Sequence, residues 1–213
     1  MENIHYAIDF ILNLNQHLVG LVDSVGGWTY LILFVIIFAE TGLIIMPFLP
    51  GDSLLFVAGS VCAISDSLNV NIMAVSLIIA GILGNTVNYS AGRWFGRKLF
   101  SNPNSKIFNH QKLDKAHIFY EKYGGLAVVI SRFLAIVRTF VPFVAGMAEM
   151  THTRFTFFNA IGAVLWVVLF VYGGYFFGQI KFIQDNFGWF IIGILIISLI
   201  PLIIELIRNV VKK

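Results

Sequence analysis

Two arginines and two carboxylates stand where ionised groups are expensive. Arg132 and Arg138 lie within VVISRFLAIVRTFVPFVAG, and Glu40 lies within IIFAETGLII after 16 uncharged residues. Asp52 follows Pro47, Pro50 and Gly51 in the same apolar region as Glu40. One ionised group at the centre of a bilayer costs at least about 2.5–3.5 kcal/mol, so four left alone cost on the order of 10 kcal/mol. They must pair or face water. Buried pairs are poor net stabilisers, so a functional role accounts for four of them better than salt bridging alone. Two guanidiniums suit a phosphate, because each offers a rigid fork of donors matching its oxygens, and helix N-termini add oriented N–H groups. The carboxylates would repel that phosphate, and proton carriage in an apolar cavity is the task that fits them. Glu40 and Asp52 are therefore the expected proton-coupling residues, and Arg132 and Arg138 the expected phosphate-binding ones. The arginines are six residues apart, off one helix face, so a turn between them is needed to bring both to one cavity. The expected lining adds Pro47, Pro50, Gly51, Asn85, Asn88, Tyr89, Ser131, Thr139 and Pro142. For the polar members, a satisfied hydrogen bond between helices is the competing role.

The elements that must position these groups are set by composition. The 213 residues are 58% hydrophobic and only 12% charged, whereas soluble domains carry about 25% charged residues. A soluble fold would leave too much apolar surface in water, which leaves an all-α polytopic membrane protein. The single cysteine, Cys62, excludes an intrachain disulfide and a zinc site on paired cysteines. No G-x-S-x-G elbow, H-E-x-x-H or P-loop occurs. His5, His17, His110 and His117 fall in interfacial segments and His152 follows the second broken stretch. The expectation is a protein that is not an enzyme, with no cofactor, no metal and no nucleic-acid partner. Its expected partners are membrane lipids and a lipid substrate, with homo-oligomerisation left open.

Residues 67–92, 155–180 and 186–204 carry no Asp, Glu, Lys or Arg, and each is near or above the length that crosses the hydrocarbon. Residues 28–64 and 126–148 are apolar but broken by proline and charge. Broken backbone at membrane depth survives only packed in protein or lining a wet cavity, so both read as re-entrant helical hairpins. The expected organisation is one membrane domain over 1–213. An amphipathic helix over 1–25 leads into a first repeat over 28–96, with hairpin 28–64 and span 67–96. A basic cytoplasmic loop over 97–123 joins it to a second repeat over 126–180, with hairpin 126–148 and span 155–180. A C-terminal span over 186–207 ends the chain. The first segment lacks the basic region of a signal peptide and is expected to stay in the mature protein. All 14 Lys and Arg lie from Arg93 onward, which sets the loop and the tail on the cytoplasmic side. The first hairpin then opens outward and the second inward.

The halves repeat. Phe56-Val57-Ala58-Gly59 recurs as Phe143-Val144-Ala145-Gly146, and Ala91-Gly92 through Gly96 recurs in pattern as Gly173-Gly174 through Gly178. The glycine pairs let helices approach closely. An odd number of crossings separates the hairpins, so the repeat is inverted, the architecture of secondary transporters.

Glu40-Thr41-Gly42, then Pro47-Phe48-Leu49-Pro50-Gly51-Asp52, then Ser131-Arg132-Phe133 with Arg138 through Gly146 resemble the motifs of the DedA family, which shares the VTT, or SNARE-associated Golgi, domain. The resemblance covers nearly the whole chain. It implies a multi-pass protein of the bacterial inner membrane with two facing re-entrant hairpins, acting in envelope homeostasis and lipid translocation. It implies that Glu40 and Asp52 match the family's essential acids, and Arg132 and Arg138 its essential arginines. It also implies dependence on the proton motive force. The reading taken from it is a flippase for a phosphate-bearing lipid, with undecaprenyl phosphate foremost. A phosphatidylethanolamine scramblase and a proton or cation antiporter are the alternatives.

Overall fold

The computed structural model describes residues 24–43, 51–99, 118, 120–134, 137–186, 189–190 and 193. The expected helix over 1–25 and the C-terminal span over 186–207 lie almost wholly outside them, as do Pro47, Pro50 and most of the basic loop. Among the described residues the chain is all-helical. Helix α1 is Trp28–Gly42, α2 Gly51–Ile64, α3 Val70–Leu99, α4 Leu126–Ser131, α5 Phe140–Met147 and α6 His152–Val167. A π-helical turn, Val168–Tyr172, continues α6 into α7, Gly173–Gly178, and α8 is Lys181–Asp185.

Two of these are long enough to cross a bilayer. Val70–Phe95 and His152–Gly178 hold 26 and 27 residues, about 40 Å each at the helical rise, against about 30 Å of hydrocarbon. Their polarity is reversed relative to a soluble fold. On α3 the residues Ile72, Val75, Ile79, Leu83 and Val87 recur at helical spacing, and all are exposed. Glu40, Asn85, Asn88, Arg132, Thr139 and Asn159 are buried. An apolar outside around a polar inside is what a lipid solvent selects.

Local chemistry explains the helix ends. The Asn69 side chain accepts hydrogen bonds from the N–H groups of Asn71 and Ile72, at 2.9 and 3.3 Å, capping α3. Asp52 lies in the first turn of α2, where a carboxylate meets the positive end of the helix dipole. Pro142 occupies the first turn of α5, so it breaks no hydrogen bond there. Between α4 and α5 the described residues make tight turns. Phe133, Leu134 and Val137 donate to Ile130, Ser131 and Leu134 at 3.0–3.1 Å or closer. That lets a helix break exist away from water.

The described chain forms two compact units. The described residues within Met1–Ile32, Pro50–Val75 and Val167–Lys213 make up one, and those within Leu33–Leu49 and Ser76–Trp166 the other. In the first, α2 lies backbone to backbone against the π turn and α7. A side chain added at Gly59 would collide with the Val171 carbonyl, and one at Gly174 with the Phe56 carbonyl. The Ser60 hydroxyl sits 3.0 Å from the Gly174 oxygen across this contact. In the second unit α5 lies against α3 in the same manner. A side chain at Gly146 would collide with the Tyr89 carbonyl, and one at Gly92 with the Phe143 carbonyl. The repeat seen in sequence is therefore repeated as contacts, with Phe56 and Gly59 in one unit standing where Phe143 and Gly146 stand in the other.

The core of the second unit gathers Tyr89, Val128, Phe140, Val141, Phe143, Val144 and Phe155. Tyr89 stacks on Phe155 with ring centres 4.2 Å apart. Its hydroxyl donates to the Met150 carbonyl and accepts from Arg93 Nη1 at 3.1 Å. Tyr89→Phe keeps the stacking and removes both bonds. It is expected to cost about 1–3 kcal/mol, read as a lower Tm of the detergent-solubilised protein. An unchanged Tm would show that the hydroxyl adds nothing.

Candidate functional site

Glu40 sits near the C-terminal end of α1 and is 1% exposed. A carboxylate there is at the unfavourable end of the helix dipole, so a cation must answer it. Arg138, in the turn just before α5, does so: its Nη2 donates to Glu40 Oε1. The pair joins residues 98 apart in sequence.

Arg132 is held differently. It caps α4 and is 4% exposed. Its Nη2 donates to the Gly81 carbonyl at 3.1 Å and to Asn159 Oδ1 at 2.7 Å. Its guanidinium carbon lies 5.6 Å from the centre of the Trp166 ring, a cation–π distance. These partners, from α3 and α6, are all neutral. Glycine makes the room: a Cβ at Gly81 would come 3.2 Å from Arg132 Nη1, and one at Gly162 3.1 Å from Arg132 Cδ.

Asn88 ties the remaining pieces together. Its Nδ2 donates to the Thr139 carbonyl at 2.7 Å and to the Thr41 carbonyl at 3.3 Å, linking α3 to both broken regions. α1 and α3 come close at Gly42 and Gly84, which brings Glu40 into range. The result is a small cavity lined by Thr41, Asn85, Arg132, Arg138, Thr139 and Trp166. Its volume of about 10 Å3 admits about one water. Arg132 Nε and Thr139 Oγ1 are buried with no hydrogen-bond partner among the described residues.

The residues singled out from sequence thus fall in several places. Glu40, Asn85, Arg132, Arg138 and Thr139 gather around this cavity or touch a residue that lines it. Asn88 braces it from behind. Tyr89 turns to Met150 instead, and Ser131 donates to the Val128 carbonyl at 3.1 Å. Pro142 is buried within α5. Gly51 and Asp52 belong to the other unit, at the start of α2, and Pro47 and Pro50 lie outside the described residues. Sequence reasoning missed Thr41, Gly81, Asn159 and Trp166. Asn159 carried a usable signal, as a lone amide within the apolar run FTFFNAIGAV. A carbonyl ligand such as that of Gly81 carries none, since every residue has one.

The VTT domain matches residues 49–176. The chain is 55% identical over 210 residues to Protein DedA of Escherichia coli (strain K12), covering 98% of this chain and 96% of that protein. It is 36% identical to the inner membrane protein YqjA of the same strain, covering 82% and 76%. It is 37% identical to an uncharacterized membrane protein of Mycobacterium leprae (strain TN), covering 80% and 76%. No solved structure matches the chain.

Proposed function

The chain belongs to the VTT-domain family of DedA-type membrane proteins, and on that premise we propose that it carries a phosphate-bearing lipid between the leaflets of the bacterial inner membrane, using the proton gradient. Undecaprenyl phosphate is the first substrate to test. The observation that supports this reading is Arg132: a buried guanidinium whose partners are neutral, beside a second arginine and a small cavity. A permanent cation in apolar surroundings calls for an anion, and the buried donors of Arg132 and Thr139 suit its oxygens.

In this proposal the hairpins over 28–64 and 126–148 are re-entrant and related as an inverted repeat. The cavity holds about one water as it stands, so a headgroup enters only when the turn carrying Arg138 moves. The phosphate then takes Arg138 from Glu40. A carboxylate stripped of its cation in apolar surroundings is costly as an anion and takes up a proton. Proton uptake is thereby linked to lipid binding, with Asp52 as the second acid of the cycle.

Proteoliposomes with labelled undecaprenyl phosphate, phosphatidylethanolamine and an interior pH dye test this. Movement of the phosphate lipid is expected to quicken under an imposed proton gradient. Arg132→Lys and Arg138→Lys, which keep charge but lose the fork, are expected to slow it at least about ten-fold. Equal movement without a gradient would leave a passive scramblase. Parent-like rates in both lysine variants would remove the arginines from the headgroup site.

A further inference from the structure

We propose that Asn159 is the positioning residue of the anion site, holding the Arg132 guanidinium in place without cancelling its charge. The inference rests on the phosphate-lipid reading above and assigns a part of that site to a residue on the second long helix.

Asn159 is fully buried, and all its hydrogen-bonding capacity is used. Its Oδ1 accepts from Arg132 Nη2 at 2.7 Å and from Asn85 Nδ2 at 3.1 Å. Its Nδ2 donates to the Ile82 carbonyl at 3.0 Å and reaches Thr86 Oγ1 at 3.5 Å. An amide has two acceptor sites and two N–H donors, so a flipped amide would set N–H against the guanidinium and oxygen against a carbonyl. One orientation is possible, and it aims an acceptor at Arg132. Both protons of Nη2 are then committed, one to Asn159 and one to Gly81, which fixes the plane of the guanidinium between α3 and α6.

The choice of amide over carboxylate is the chemical point. Asp at this position would accept the same two hydrogen bonds at nearly the same size, though it would lose the donor to the Ile82 carbonyl. It would also neutralise Arg132, and the site would lose the excess charge that draws an anion. Glu40 already neutralises Arg138 in this arrangement. A second carboxylate opposite Arg132 would make the site self-sufficient. Asn159 supplies geometry and withholds charge, so Arg132 is set in place while its charge is left to the ligand.

The test compares the parent with Asn159→Asp and Asn159→Ala, purified in nanodiscs, by binding of a labelled polyprenyl phosphate at pH 8 and pH 5.5. Asn159→Asp is expected to bind at least about ten-fold more weakly at pH 8. Paired with Arg132, the new carboxylate stays ionised, so the deficit is expected to persist at pH 5.5. Asn159→Ala, which loses position and adds no charge, is expected to bind more weakly by the same factor at both pH values. The charged group facing the new carboxyl is Arg132, on which Arg138 and Glu40 act in turn, while α3 offers it the neutral Asn85, Ile82 and Thr86. The parent's own pH profile is the baseline for every variant. Parent-like binding by the Asp variant at both pH values overturns the proposal. Guanidinium nitrogen NMR supplies a second readout, with the signal assigned by its loss in Arg132→Lys. Hindered rotation of Arg132 in the parent is expected to be released in Asn159→Ala. Unchanged rotation overturns the proposal even if the Asp variant does not fold. Should the parent bind no phosphate lipid, the transport reading fails, and the rotation measurement still decides whether Asn159 positions Arg132.

Discussion

Arg138→Gln is expected to destabilise the protein by about 3–5 kcal/mol, because it leaves Glu40 charged in a site that is 1% exposed. Glu40→Leu should be comparably harmful, since it strands a guanidinium whose side chain is 11% exposed. Removing one partner of a buried pair costs far more than removing both. The double variant Glu40→Gln with Arg138→Gln should therefore be more stable than Arg138→Gln alone, with a coupling of about 1–3 kcal/mol. Chemical unfolding in detergent reads all three. Additive losses would mean that the two side chains do not act on each other. The double variant is also the informative one for function. On the proposed cycle it should be folded and still fail to move lipid, because Arg138, one of the two phosphate ligands, and Glu40, the acid that releases it, are both gone. A folded and fully active double variant would reduce the pair to a structural contact.

The second large effect is expected at four glycines. Gly59→Ala, Gly92→Ala, Gly146→Ala and Gly174→Ala each drive a methyl group into a backbone carbonyl of the facing helix. Backbone cannot rotate away as a side chain can, so the helices must separate. Overpacking typically costs about 1–3 kcal/mol and occasionally more, and here the loss of helix–helix contact adds to it. Folded protein recovered from membranes should fall severely for all four. Gly173→Ala is the control, because its new Cβ would meet only the Phe56 ring at 3.6 Å, an ordinary contact. It should be recovered like the parent. Equal recovery of Gly173→Ala and Gly174→Ala would mean that α2 and α7 do not pack in this register. The same comparison tests the repeat. If Gly174→Ala fails while Gly92→Ala is tolerated, the two units do not share one packing rule.

Composition and spacing alone determined a good deal about this protein. Transfer free energy is local and nearly additive, so a low charge content and long uncharged runs announce a membrane protein without any knowledge of the fold. Family membership was legible for a similar reason, as long motifs around Glu40, Asp52, Arg132 and Arg138 stand together in the chain. So was the recurrence of Phe-Val-Ala-Gly and of the glycine pairs, which the structure turns into matching contacts. The helix ends at Gly42 and Ser131 fall within the two stretches that proline and charge mark in the sequence. Tertiary structure decided the rest. Nothing in spacing says that Glu40 takes Arg138 and that Arg132 takes a glycine carbonyl and an asparagine. Those partners lie 98, 51 and 27 residues apart, and their choice depends on which helices cross and at what height. Asn88 likewise recruits the carbonyls of Thr41 and Thr139, atoms that no side-chain pattern can advertise. A charge reveals its cost through the residues beside it in sequence, but its partner is chosen by distance in space, and only the packing of α1, α3, α4 and α6 sets that distance.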